Sequence, residues 1–295
     1  MEHLATRDFL TRLRQLRERL SKSLYRLDAS HAAPSGKGVL PEVETHRPYA
    51  LGDDPRHIDW NLYARFDRFF VKSMLKEEEG LVLLLVDTSR SMRSPYPEKE
   101  RLATEVAAAL GYLYLCAGNR VGVVPWAERI FRVSEPVRGE AELMKLLRTL
   151  SGMTEGTTTD LGKALAGVLA TGKVRHAAAV VVSDFIDPGE YRKKIDYLVA
   201  NEVSLGALQI LHPAEKGLDV RGNVELVDPE SGLVVRRVVG YSQARELRRR
   251  VRAFLDSTAA FLGSRAERFA LTETSVRFET AVERYLVSGR RGPAK

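Results

Sequence analysis

A doubly wound α/β fold with a mostly parallel sheet is predicted for the middle of this chain, and three observations predict it. Apolar runs of strand length alternate with helical stretches from residue 81 onward. The runs "LVLLLVD", "HAAAVVVSD" and "VSLGALQIL" are continuously apolar, the pattern of strands covered on both faces. Two of them end directly in an aspartate, Asp87 and Asp184, at the kind of sheet edge where open α/β folds bind ligands. Peripheral helices and a small β-rich appendage complete the expected architecture.

Taken in order, residues 5–28 carry Phe9, Leu13, Leu16, Leu20, Leu24 and Leu27 at three- and four-residue spacing, so an amphipathic helix is predicted there. Its Arg12, Arg14, Arg19, Lys22 and Arg26 lie mainly off the apolar stripe, and a solvated basic face is expected. The breaker-rich "ASHAAPSGKGVL" closes this first unit, residues 1–39, as a linker. Residues 40–78 hold the turn "LGDDPRHIDW" and an extended "RFFVKSMLK", the first part of the appendage. The core domain spans 79–212: the strand "LVLLLVD", a helix near 98–118, a strand "RVGVVPWA" with "RIFRVS" paired to it, and a helix "EAELMKLLRTL". The loop "SGMTEGTTTD", the helix "LGKALAGVLAT", the strand at 176–184, the helix "GEYRKKIDYLVAN" and a last strand to 211 follow. In the final segment, 213–295, the turn "DPESG" joins two strand-like runs in a hairpin expected to pair with the 40–78 appendage. A helix over 241–263 turns Leu247, Val251, Phe254, Leu255 and Phe261 inward, and a short helix covers 276–287.

Composition sets outer bounds. The chain has 295 residues, 44% hydrophobic, enough for one large core with an appendage. Lys and Arg total 46 against 39 Asp and Glu, a net +7 whose mixed signs permit an anionic partner without requiring one. The single cysteine, Cys116, excludes a disulfide framework or thiolate cluster and suits a reducing compartment. The N-terminal stretch lacks an apolar signal core, and apolar runs fall well short of the ~20 residues a membrane helix needs. A cytoplasmic protein without a transmembrane segment is expected.

The chemistry gathers around the two strand ends. Asp87, Ser89 and Ser91 follow one strand, Asp184 follows another, and a threonine-rich loop opens a helix between them. Carboxylates with hydroxyls are hard oxygen donors, suited to magnesium or manganese, which keep part of their water and take one or two carboxylates. Asp87-x-Ser89-x-Ser91, Thr159 ahead of a helix and Asp184 after a strand resemble the metal-ion-dependent adhesion site of von Willebrand factor type A domains. The resemblance spans roughly residues 80–212. It implies that Ser89, Ser91 and Thr159 coordinate the ion, that Asp87 and Asp184 bind it directly or through water, and that a partner's acidic residue fills the open place. Thr157, Thr158 and Thr159 are adjacent; Thr159 has the family's spacing to the helix, with Ala164 and Leu165 five and six positions on.

A second resemblance covers about residues 40–245. "RPYALGDDPRHIDWNLYARF", "DTSRSM", "SDF" and "LHPAEKG…VELVDPESG" are similar to the pattern of the domain of unknown function 58 family. That family has a type A core and is often encoded beside MoxR-type AAA+ ATPases. Some of its members carry N-terminal membrane helices, and this chain departs from them there.

The implied function is non-enzymatic: a bound ion docks an acidic residue of a partner protein, a MoxR-type ATPase being the partner the resemblance suggests. The alternative is a metal-dependent phosphoester hydrolase, for which Asp160, Asp187 or the "GDD" turn would have to supply general acid or base groups. A haloacid-dehalogenase-like mechanism needs a second acid two residues after Asp87, where Ser89 stands. None of His3, His31, His46, His57, His176 and His212 lies in a recognisable catalytic context. Asp53, Asp54, His57 and Asp59 read as a turn whose acids cap amides and pair with Arg56 or Arg65, and Asp160 as a helix cap. Arg248–Arg250 read as an exposed helix face without the interleaved aromatics of a nucleic-acid groove, so nucleic acid is not the expected partner.

Overall fold

A computed structural model describes residues 2–31, 44–50, 54–55, 58–74, 80–170, 177–187, 191–201, 203–216, 220–228, 230 and 232–289. In chain order the elements are α1 (Arg7–His31), β1 (Glu44–Pro48), α2 (Trp60–Phe66), β2 (Phe70–Met74), β3 (Leu81–Asp87) and α3 (Glu98–Cys116). Then come β4 (Arg120–Trp126), β5 (Val137–Arg138), α4 (Leu143–Ser151), α5 (Leu161–Ala170), β6 (Ala177–Ser183), α6 (Tyr191–Ala200) and β7 (Ser204–Leu211). The chain closes with α7 (Pro213–Lys216), β8 (Gly222–Val227), β9 (Val234–Val239), α8 (Tyr241–Arg265), β10 (Arg268–Glu273) and α9 (Phe278–Val287).

Six strands form the central sheet in the order β10-β7-β6-β3-β4-β5, all parallel to their neighbours except β5. Successive side chains of a strand point to opposite faces, and both faces here are covered. Val82, Leu84 and Val86 pack with α1, α3, α4 and α9, while Leu83 and Leu85 pack with α5, α6 and α8. That double cover is why β3 reads as an unbroken apolar run. Helix α3 is buried along most of its length, from Leu102 to Leu115, as the middle layer between sheet and outer helices.

Helix α1 belongs to this main core. Phe9, Leu13 and Leu16 are buried in the cluster that contains β3 and α9, each contributing about 1.5–3 kcal/mol. Phe9 meets Phe278 at 5.0 Å between ring centroids. Its basic face is not simply solvated: the Arg12 guanidinium donates twice to Glu279, at 2.6 and 2.7 Å, and Arg17 pairs with Glu140.

Four expectations are corrected. The last strand of the sheet is β10, beyond the expected end at 212, and it pairs in parallel with β7. The segment "RIFRVS" contributes one isolated bridge, Ile130 to Trp126, and the antiparallel edge strand is β5 instead. The 40–78 and 222–240 segments do not join: β1–β2 and β8–β9 are two separate two-stranded antiparallel sheets. In α8 Leu255 is buried and Phe261 packs partly buried against the core as expected, but Phe254 is exposed, Leu247 and Val251 are only half-buried, and Ala244, Thr258 and Leu262 complete the buried stripe. No helix of the described residues is long and apolar enough to cross a membrane.

Candidate metal-ion site

The chain leaves β3 to one side, towards β4, and returns through β6 on the other side, so the strand order reverses between β3 and β6. Ligand crevices in open α/β sheets form at such a reversal, beyond the strands' carboxyl ends. The register pairs Val86 with Val182, which sets Asp87 beside Ser183. The Ser183 hydroxyl donates to Asp87 Oδ2 at 2.6 Å, and the Ser89 amide donates to Oδ1 at 2.9 Å. That second bond is the Asx turn an aspartate makes two residues ahead of an amide. It swings the chain so that the Ser89 and Ser91 hydroxyls stand 3.1 Å apart. Ser91 Oγ then donates to Asp184 Oδ2 at 3.1 Å, closing a hydrogen-bonded chain through four of the expected residues.

Asp184 is held from several sides. Its Oδ1 accepts the Ile186 amide at 2.9 Å, and its carbonyl accepts Gln209 Nε2 at 2.8 Å. The next residue, Phe185, sits at φ 55°, a left-handed conformation costly for a bulky side chain. Its buried ring and the bond from its amide to Ser183 Oγ at 3.0 Å hold it there.

The threonine loop is pinned to the same edge. Gly156 N–H donates to the Thr88 carbonyl at 3.0 Å, and Arg93 Nη2 donates to the Gly156 carbonyl at 2.7 Å. A Cβ at Gly156 would collide with Ala127 Cβ, so only glycine lets the loop approach. Thr157 and Thr158 are exposed, whereas the Thr159 hydroxyl oxygen is buried without a well-formed hydrogen bond. The Thr159 amide donates to Glu230 Oε2 at 2.9 Å, and that carboxylate also senses the charge of Asp184.

Three charged residues at this edge went unread in the sequence. Lys99, with only 1% of its side chain exposed, donates to Asp184 Oδ2 at 2.8 Å and to Glu215 Oε1 at 2.7 Å. Lys99 lies in the first turn of α3 and Glu215 on α7, and the ring of His212 near Glu215 stacks on Tyr96 at 3.8 Å. Glu230, from the turn of the β8–β9 hairpin, is the third. Glu215 and Glu230 both lie inside segments that carry the family resemblance, "LHPAEKG" and "VELVDPESG". Lys99 has no such signal, because a lysine at a helix start ordinarily faces water.

The electrostatics are one-sided. Burial, then the charge of Asp184, push the Asp87 carboxyl up to about 7, against the opposing pull of the Ser183 and Ser89 hydrogen bonds. Burial likewise raises Glu230. Burial opposes the charge of Lys99, but Asp184 and Glu215 outweigh it, so the ammonium is retained. One ammonium thus serves Asp184 and Glu215 and leaves Asp87 without a cation. Among the described residues no group of three or more His, Cys, Asp or Glu could hold a metal ion, so an ion here would depend on hydroxyls. Two serine hydroxyls, a buried threonine hydroxyl and an uncompensated carboxylate fit a hard divalent cation and offer nothing to a soft one.

The other acids have structural work. Asp160 Oδ1 accepts the Lys163 amide at 2.8 Å, and Asp187 Oδ2 accepts the Leu161 amide at 2.8 Å, so both cap α5. Asp59 caps α2 through the amides of Asn61 and Leu62. Asp53, Arg56 and His57 lie outside the described residues. Arg249 and Arg250 pair with Glu246 on an exposed face of α8.

A family model described as protein of unknown function DUF58 matches residues 45–257. The uncharacterized protein Rv1480 of Mycobacterium tuberculosis is 32% identical over 207 residues, covering 67% of this chain and 64% of that protein. The uncharacterized protein Mb1516 of Mycobacterium bovis matches with the same figures, 32%, 67% and 64%. The chain therefore spans less than two thirds of the length of these relatives. Among solved structures, the conserved hypothetical protein BatB from Bacteroides thetaiotaomicron is similar at 14% identity and a TM-score of 0.38, covering 62% of this chain and 98% of that one. Proximal thread matrix protein 1 from the mussel byssus, with a zinc-occupied MIDAS motif, matches at 14% identity and a TM-score of 0.36, covering 61% and 48%.

Proposed function

The chain belongs to the family described as protein of unknown function DUF58, and on that premise we propose that it is a protein-interaction module whose site, loaded with magnesium or manganese, docks an acidic residue of a partner. The observation that carries this reading is the buried Asp87 carboxylate, which accepts the Ser183 hydroxyl and the Ser89 amide within the field of Asp184 and has no cation of its own. A divalent ion bound there would offer positive charge and an open coordination position to a carboxylate from outside. Around it the chain's own residues act as fixed scaffolding. Ser183 and the Ser89 amide orient Asp87, while Lys99 and the backbone at Phe185 orient Asp184. Gly156 brings the Thr159 hydroxyl against the edge.

The hydrolase alternative requires an acid or base beside the ion. Two of its three candidates, Asp160 and Asp187, are occupied as caps of α5, and this favours docking over turnover; the third, the "GDD" turn, lies partly outside the described residues. The partner we propose is a MoxR-type AAA+ ATPase, the one the family resemblance implies. Affinity capture from the native cell tests the reading: the wild type retains a partner that chelator releases and that Asp87→Ala does not hold. Metal-dependent hydrolysis of phosphoesters, lost in Asp87→Ala, would reverse the ranking of the two functions.

A further inference from the structure

The β8–β9 hairpin is an exposed two-stranded ribbon whose Val227, Leu233 and Val238 are 56%, 62% and 75% exposed. Its turn behaves differently. The Glu230 amide donates to Asp228 Oδ1 at 3.0 Å, and the Gly232 amide to the Asp228 carbonyl at 2.9 Å, with Gly232 in the left-handed region at φ 72°. This shaped turn carries Glu230 back to the sheet edge, where the acid is partly buried and accepts the Thr159 amide across 71 residues of sequence. Its carboxylate lies against the buried Thr159 hydroxyl of the expected ligand set and within the field of Asp184.

We propose that Glu230 is an internal competitor for docking at this site: the hairpin tip, held by the Thr159 amide, occupies the place that a partner's carboxylate would take, so that docking displaces the hairpin. The contact itself needs no ion, whereas the exchange of ligands rests on the ion-docking reading above. A partner then binds more weakly than the bare site would allow, by the factor that the closed hairpin imposes.

Two measurements on the full chain separate these layers. In chelator, hydrogen–deuterium exchange at the Thr159 amide and along the hairpin should be about tenfold faster in Glu230→Ala than in the wild type, the effect of one hydrogen bond to a charged group. Exchange in β3 and β6 should be unchanged. Equal rates at Thr159 would overturn the proposal, and so would a difference that appears only as the protein is concentrated, since it would assign the contact to a second copy. With manganese bound, acetate serves as the carboxylate probe, read by water-proton relaxation. Glu230→Ala should take up acetate at about a tenth of the concentration the wild type needs. Equal uptake would show that Glu230 does not occupy the acceptor position. Failure of both proteins to bind manganese would refute the ion reading, and the exchange rates would still decide the Glu230 contact.

Discussion

Replacing Asp87 by asparagine should make the ion-free protein more stable at alkaline pH while removing its response to divalent ions. Asp87 is buried, and its carboxyl is pushed from an ordinary 3.8 to about 7 by burial first and by Asp184 second. The folded value lies above the unfolded one, so the folded chain holds this proton more tightly. Its favourable contribution is fully present below the unfolded value and is lost as pH rises through about 7. A shift of this size corresponds to about 4 kcal/mol between the two limits. Asparagine keeps the acceptor for the Ser89 amide but turns a donor towards Ser183, a mismatch that costs about 1 kcal/mol. The net advantage of Asp87→Asn in chelator should therefore grow by about 2–3 kcal/mol between pH 5 and pH 8. Urea unfolding followed by the fluorescence of Trp126, which is fully buried at the end of β4 and accepts the Thr88 amide through its carbonyl, reads this directly. Excess manganese should restore the wild type by mass action and leave the variant unmoved. The reasoning fails if Asp87→Asn is destabilised equally at both pH values, or if manganese stabilises it as well as the wild type.

Other substitutions probe the surroundings. Lys99→Met leaves the buried Asp184 without its ammonium and should cost about 3 kcal/mol, the low end for a broken buried pair because Glu215 can turn to water. A loss below about 1 kcal/mol in urea unfolding would show that the Lys99 ammonium adds no net stability to this buried edge. Leu16→Ala removes a fully buried side chain of α1 and should cost about 2–5 kcal/mol, visible as a lower Tm; a near-neutral result would detach α1 from the core. Gly156→Val forces the threonine loop off Ala127, costing about 1–3 kcal/mol, and manganese affinity should drop with it; unchanged affinity would remove Thr159 from the site.

What the sequence shows and what it hides follow from the range over which each effect acts. Strands β3, β6 and β7 were legible because cover on both faces makes them continuously apolar, and the site aspartates follow from where two of those strands end. Strand β10 was not, since it lies at the sheet edge with only two of its six residues buried, Ala270 and Thr272. Helix α1 announces its buried stripe, yet its arginines look solvated because their partners are far along the chain, Glu279 lying 267 residues from Arg12 and Glu140 123 residues from Arg17. Lys99 was hidden for the same reason: its partners Asp184 and Glu215 are 85 and 116 residues distant. Glu230 sits in a turn where an acid is unremarked, and only the tertiary fold brings it to Thr159. Local periodicity reports which face is buried; it carries no record of which distant charge completes a buried pair.

The most direct measurement is a manganese titration at about pH 8, read by electron paramagnetic resonance, of the wild type and of Asp87→Ala. One ion per wild-type chain is expected, bound weakly because few charged ligands contribute, with binding lost in Asp87→Ala. A wild type that binds no manganese, or an Asp87→Ala variant that binds it as well as the wild type, would contradict the ion-docking assignment.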